Sequence, residues 1–455
     1  MAKARSSVAR VAMLVLGSVL SPAAYAQDWL QWRGPRWDGS SDVQGLPEKL
    51  DASAIRWRAP LPGPGAGAPI ICGTRVFVTA ADEDAEKLVA LCFDRESGKE
   101  LWAKELGPSY TPAGRGKPTA IDNRSTYATP SAACDGERVV FFFGNGDLAG
   151  TSLEGELLWK RNLQQDYGDF AFQWTFSATP TLHGGKLYLA ILQRDQPTGR
   201  GAKKPEQPIP SFVLCMDPRT GKTDWKVERQ APAQMESLES YATIVPRVRK
   251  DGRTELLVLG GDVITGHDPA DGKELWRWGT WNEGHREAWW RIVPTPVVAG
   301  GVVLVCAPKR APVYAVKLDG EGLLPAEALS WKSEGRPNPV SSDVPTPLVH
   351  DGRFYVLSDL ANALSRIDPA TGKVEWSVEV DREFLWRASP VAAGGRIWAQ
   401  NHHGTLYGFD PADGKEVARL ALGRDDDDGI CASVAPAHGR LFVRTNAELV
   451  CLGKE

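Results

Sequence analysis

The chain has no block of basic residues. Its 53 Lys and Arg are set against 57 Asp and Glu over 455 residues, a formal net charge of −4. Without a positive surface to displace counterions it is a poor partner for nucleic acid. Beyond the first 26 residues no run is apolar enough to cross a bilayer. CxxC pairs, a CxxCH haem site, a GxSxG elbow, an HExxH pair, a Walker-type phosphate loop and a dinucleotide fingerprint are all missing. The scattered Asp and Glu form no recognisable acid–base pair, so no catalytic residue is named. The seven cysteines (72, 92, 134, 215, 306, 431 and 451) include no neighbouring pair. They read as small buried residues inside strands, with a Cys92–Cys451 bridge as the open alternative.

At the N-terminus, Lys3, Arg5 and Arg10 precede a short apolar run, Val11 to Leu20, and Ala24-Tyr25-Ala26 fits a small-x-small cleavage site. Residues 1–26 therefore read as a secretory signal cut before Gln27. Loss of its three positive charges takes the formal net charge from −4 to −7. Gln27 is not a cysteine, so no lipid anchor is expected. The protein is expected to be exported, periplasmic or extracellular, and monomeric.

What is abundant is a repeat. Gly98-Lys99-Glu100-Leu101-Trp102, Gly221-Lys222-Thr223-Asp224-Trp225, Gly272-Lys273-Glu274-Leu275-Trp276 and Gly372-Lys373-Val374-Glu375-Trp376 share one spacing, and the last three follow an Asp-Pro pair. The fullest copy, Val344 to Trp376, reads as four short strands separated by Gly-, Pro- and Asp-rich turns. Four antiparallel strands per unit make a propeller blade. Eight first strands open near Ala68, Thr129, Thr179, Ala242, Thr295, Thr346, Ser389 and Ala432. The fourth-strand tryptophans are Trp102, Trp159, Trp225, Trp276, Trp331 and Trp376. Blade seven has Ala418 at that position. Blade eight lacks a fourth strand before the C-terminus, and Ala54-Ile55-Arg56-Trp57 supplies it. The expectation is an all-β, eight-bladed propeller over 54–455, preceded by a leader over 27–53 and closed by that N-terminal strand. Each tryptophan is expected to lock its blade to the next, burying roughly 150–250 Å².

The run Leu91 to Trp102 and its counterparts resemble the tryptophan-docking repeat of pyrroloquinoline-quinone (PQQ)-type propellers. Over 54–455 the chain is similar to PQQ-like propellers that include BamB-like assembly factors. Trp29-Leu30-Gln31-Trp32-Arg33-Gly34-Pro35, with Gly39, resembles the leader of exported PQQ-like propellers of unassigned function. The resemblance implies either a redox enzyme or a non-catalytic scaffold. Quinoprotein dehydrogenases hold the quinone between a tryptophan and a disulfide of neighbouring cysteines, and bind calcium through Glu, Asn and Asp. This chain has no neighbouring cysteines, and those ligands find no place on it. No cofactor is expected, with PQQ and calcium as the alternative. The assembly factors are lipid-anchored, and this chain lacks that cysteine.

Short turns on one face and long, varied connections on the other put a binding site on the long-loop face. Its candidates are His285, Trp289, Trp290, Arg291, Trp386 and Arg387, the arginines being suited to an anionic group at the channel mouth. The loop Gln193 to Pro210 reads as a solvated insertion or a lid. Asp425 to Asp428 reads as a solvated acidic loop rather than a calcium site. His402-His403, with His285, form the weak case for a metal. The leading expectation is an exported scaffold that binds a protein or envelope component. The rivals are a quinoprotein oxidoreductase and a carbohydrate-binding propeller.

Overall fold

The turn-plus-tryptophan unit is the outer hairpin of a blade. A computed structural model describes residues 27–82, 84–108, 125–198, 205–279, 281–318, 320–335, 338–425 and 429–454. Among them the strands form eight antiparallel sheets, one of which gains a fifth, parallel strand. Blades one to seven span 70–108, 133–162, 181–228, 245–278, 297–332, 348–379 and 391–421. Blade eight combines Ala435–Ala437, Arg440–Arg444 and Glu448–Gly453 with Ile55–Pro60. That last strand pairs antiparallel with the C-terminal one, Trp57 opposite Cys451 and Pro60 opposite Glu448. Joining the two ends of the fold in one sheet closes the ring of blades. The proposed signal, residues 1–26, lies outside the described residues. No helix among the described residues is long and apolar enough to cross a membrane.

Position in the blade sets how each strand is buried. Second strands are sandwiched between neighbouring blades, and Phe354 to Ser358 are all buried. Fourth strands lie at the rim and alternate: along Val374–Glu379 only the inward residues are partly covered, Trp376 among them. The core is thus a set of layers between blades, as where Val305 and Tyr314 pack with Trp276 and Trp278.

Six of the tryptophans donate their indole N–H to a carbonyl in the next blade's outer turn. The pairs are Trp57 to Arg95 (3.0 Å), Trp102 to Leu153 (3.1 Å), Trp159 to Pro218 (2.8 Å), Trp225 to Pro269 (3.1 Å), Trp331 to Pro369 (2.7 Å) and Trp376 to Pro411 (3.3 Å). The ring lies flat on that turn's glycine. A Cβ on Gly221, at φ +68°, would stand 2.5 Å from the Trp159 ring. Only glycine tolerates both that φ and that approach.

Two blades depart from the rule. Blade seven has no tryptophan at Ala418 because blade eight has no outer turn to receive one: its third and fourth strands come from opposite ends of the chain. Trp398, on the second strand, is fully buried beside Gly408 instead. Blade five departs from the short outer turns expected throughout. Its connection runs from Leu318 to Ala328 and lays Gly322–Leu323 parallel against Trp276–Arg277. Trp276 then donates to Glu255 of its own blade at 2.9 Å. All seven cysteines are free, so no Cys92–Cys451 bridge forms; both thiols are buried in strands opposite Trp102 and Trp57.

Candidate functional site

The first strands stand side by side around the ring's axis, and each begins in register with the next. Ser131, Thr179, Thr243, Thr295, Thr346, Ser389 and Ser433 each accept the backbone N–H of the corresponding residue in the preceding blade. These seven bonds measure 2.8–3.1 Å and start from Ala68. A belt of hydroxyls thus satisfies strand-end donors that no sheet partner reaches. It is interrupted only at blade one, where Ala68 has no hydroxyl.

Two residues earlier, on the approach to each first strand, lies a second tier: Ala66, Thr129, Ser177, Tyr241, Val293, Val344, Arg387 and Cys431. With Ser125, Trp174, Arg291 and His402 they line a cavity of about 160 Å³. The cavity opens toward the long-loop face and continues inward to the hydroxyl belt.

The leader closes the other end. Trp29 pairs with Ile71 of blade one through N–H···O bonds of 3.1 and 2.9 Å, and Leu30 accepts from Cys134 of blade two. Asp38 accepts from Val349 of blade six, and Gly39 to Val43 follow the first strand of blade seven. Between these ends Trp32 faces the belt. Buried Arg33 donates to the Pro347 and Pro390 carbonyls at 2.8 Å each. Gly34 and Gly39 are needed for contact: an added Cβ would lie 2.4 Å from the Trp29 ring or 2.0 Å from the Arg33 guanidinium. The central channel is a blind well.

Its mouth holds an interleaved charge network. Arg291 makes a two-pronged bond to Asp343, 2.9 Å on each arm, with its Nε 3.8 Å from Glu236. Arg387 pairs with Asp359 and lies 3.9 Å from Asp343. The Asp343 N–H donates to Asp359 at 3.0 Å. Burial pushes Asp359 up to about 6, against the pull of Arg387. Burial also opposes ionisation of Asp343, but the Arg291 bond outweighs it and holds the group below its ordinary value. Beside them buried Glu239 takes bonds from Arg194 and the Tyr241 hydroxyl, and from Gln173 N–H at 3.1 Å. Burial raises its pKa despite these partners.

The sequence candidates fare differently. Arg291 and Arg387 line the well, but carboxylates from other segments occupy both guanidiniums, so they present little free charge to an anion. Trp386 is not on the binding face. It is fully buried, bonded to the Asp381 carbonyl at 2.8 Å and packed 4.9 Å from Tyr407. Adjacent residues of extended backbone point to opposite sides, so with Arg387 in the well Trp386 enters the blade. Trp290 is half-buried against the core of blades four and five. His285 bonds Asp262 at 3.0 Å, and His403 stacks on Phe384 at 4.3 Å, so the three histidines do not converge. Trp289 is exposed. Asp426 to Asp428 and Arg200 to Lys204 lie outside the described residues. Sequence reasoning missed Asp343, Asp359, Glu239, Tyr241, His402 with Cys431 as well-lining neighbours, and the belt. A hydroxyl at the same register of seven blades was the readable signal for the belt.

The geometry has known counterparts. A europium-containing methanol dehydrogenase aligns with a TM-score of 0.66 at 12% identity, covering 94% of this chain and 98% of that one. A quinohemoprotein alcohol dehydrogenase from Comamonas testosteroni aligns at 0.61 and 13%, covering 95% and 82%. BamB from Moraxella catarrhalis aligns at 0.51 and 14%, covering 90% and 99%. At such identities the likeness is one of fold. No curated protein matches the sequence. The sequence profile of the outer membrane protein assembly factor BamB family matches three successive stretches, 49–209, 207–328 and 327–454. The chain therefore belongs to this family of PQQ-like propellers.

Proposed function

We propose that the protein is an exported binding propeller that docks a protein or other envelope component on its long-loop face, around the mouth of the well. Trp289 carries this reading. Its side chain is 49% exposed, yet it is held in place. Arg194 lies over the ring at 5.7 Å, and Lys309 Nζ donates to the Trp289 carbonyl at 2.6 Å. A preorganised tryptophan flanked by arginine is the kind of side chain that dominates binding energy at protein interfaces, because little freedom is lost when it is covered. Leu385, 48% exposed beside Phe384, offers a second apolar anchor on the same face. The match to an assembly-factor family supports a protein partner.

A PQQ and calcium pair fits these walls poorly. A polyanionic quinone needs unpaired cations and a hard ion needs converging carboxylates, whereas here each arginine at the mouth already holds an aspartate. No cluster of three or more potential metal ligands occurs among the described residues.

The test is capture of envelope proteins by crosslinking, followed by affinity measurement. Trp289→Ala with Leu385→Ala is expected to weaken the partner by at least about 2 kcal/mol, roughly 30-fold, while leaving stability nearly unchanged. Unaltered affinity for every captured partner would remove the assignment.

A further inference from the structure

We propose that Cys431 and His402 form a thiol–imidazole pair in the wall of the well that exchanges with small disulfides. Six of the seven thiols are buried inside strands, and Cys431 alone is partly exposed. It and His402 both line the well. The Cys431 sulfur lies 3.5 Å from His402 Nε2 and also 3.3 Å from the Gly429 carbonyl. Backbone bonds fix the pair from both sides: Ile430 N–H donates to the His402 carbonyl at 3.0 Å, and His402 N–H to Leu385 at 2.8 Å. The turn that carries the imidazole and the strand approach that carries the thiol are therefore tied at adjacent residues. A nucleophile and a base held within hydrogen-bond reach by their own backbones are the elements of an activated thiol.

Burial pushes the thiol up to about 11, and Arg387 pulls it back only in part. At neutral pH it is stored as S–H, so reaction requires a base, and His402 is the base in place. The balance is complete without an external oxidant. His402 takes the thiol proton, the Cys431 thiolate attacks one sulfur of R–S–S–R, and that S–S bond breaks. A Cys431–S–S–R bond forms, and the leaving thiolate takes the proton from His402 to become R–SH. Cys431 is oxidised as half of the disulfide is reduced. The well sets the substrate class. A cavity of about 160 Å³ favours a small disulfide over one on a folded protein surface.

The experiment is incubation of the native protein with cystine at neutral pH, followed by intact mass and peptide mapping. One added half-disulfide, on Cys431 with the other six thiols unmodified, is the expected result. His402→Gln should slow its formation on the order of 10²-fold. The proposal is overturned if the native protein takes up no adduct while the urea-unfolded chain does. It is also overturned if the adduct spreads over several cysteines, or if His402→Gln reacts at the wild-type rate. Mapping the wild-type protein requires no variant, so a folding defect in His402→Gln leaves that arm decisive.

Discussion

Blades four and six carry the same tryptophan at the same place in the fourth strand, but different groups hold it. Trp376 lies over the next blade's turn, its indole bonded to Pro411 at 3.3 Å and its ring against Gly414. Trp276 meets no such turn, because blade five's connection has grown into an extra strand that covers it. Its N–H goes instead to Glu255, a buried carboxylate that also pairs with Arg247 and, at 3.3 Å, with Arg249. The tryptophan can only dock where the following blade offers a glycine at positive φ with a carbonyl beside it. Where that turn is rebuilt, a buried carboxylate supplies the acceptor for the indole N–H instead. The two blades differ on the well side as well. Blade six aims Asp359 at Arg387, whereas blade four aims Asp262 at His285.

The largest expected effect comes from Glu255→Ala. It strands the largely covered Arg247 guanidinium and an indole N–H together, and leaves Arg249 only its longer contacts to Asp251 and Glu321, so urea unfolding should show a loss of about 3–5 kcal/mol. A loss near that of a surface carboxylate would mean that blade four is held by its extra strand alone.

Next is the pH dependence set by Asp359. The unfolded group releases its proton near 3.8 and the folded one near 6. Between these values the native state binds more protons, so this group's contribution to stability falls as pH rises. Asp359→Asn stays neutral and removes that fall. The stability difference between wild type and variant should shift by on the order of 2–3 kcal/mol from about pH 4 to above pH 6. A pH-independent difference in urea melts would place the Asp359 proton elsewhere.

The smallest effect compares two glycines. Gly414 sits at φ +76° with the Trp376 ring 2.7 Å from an added Cβ, and Gly322 at φ +68° with nothing within 4 Å. Both alanine variants carry the backbone cost of about 1–2 kcal/mol, and only Gly414→Ala also pushes on the indole. It should be less stable than Gly322→Ala by about 1–2 kcal/mol. Equal unfolding midpoints would show that the ring contact does not hold blades six and seven together.

The repeat was readable because its physics is local. A Gly-Lys turn with a tryptophan four residues after its glycine specifies a hairpin, and its recurrence specifies the array. The departure at Trp276 was not read, because the outer turns were expected to be short throughout and blade five's connection is not. Trp386 was misplaced because a Trp-Arg pair reads as an interface motif until period-two alternation is applied from the channel outward. The pairing of Arg291 with Asp343 and of Arg387 with Asp359 joins residues 52 and 28 apart, from different connections. No spacing rule reaches that far.

The sequence by itself determined the all-β class, eight blades, closure by the strand around Trp57 and the docking role of most tryptophans, because each follows from turn chemistry and burial within one repeat. Only the tertiary structure decided that the leader plugs the channel, that the arginines at the mouth are neutralised, and that Cys431 meets His402. Those outcomes depend on how eight separate strands converge on one axis, and convergence is a property of the closed ring rather than of any segment in it.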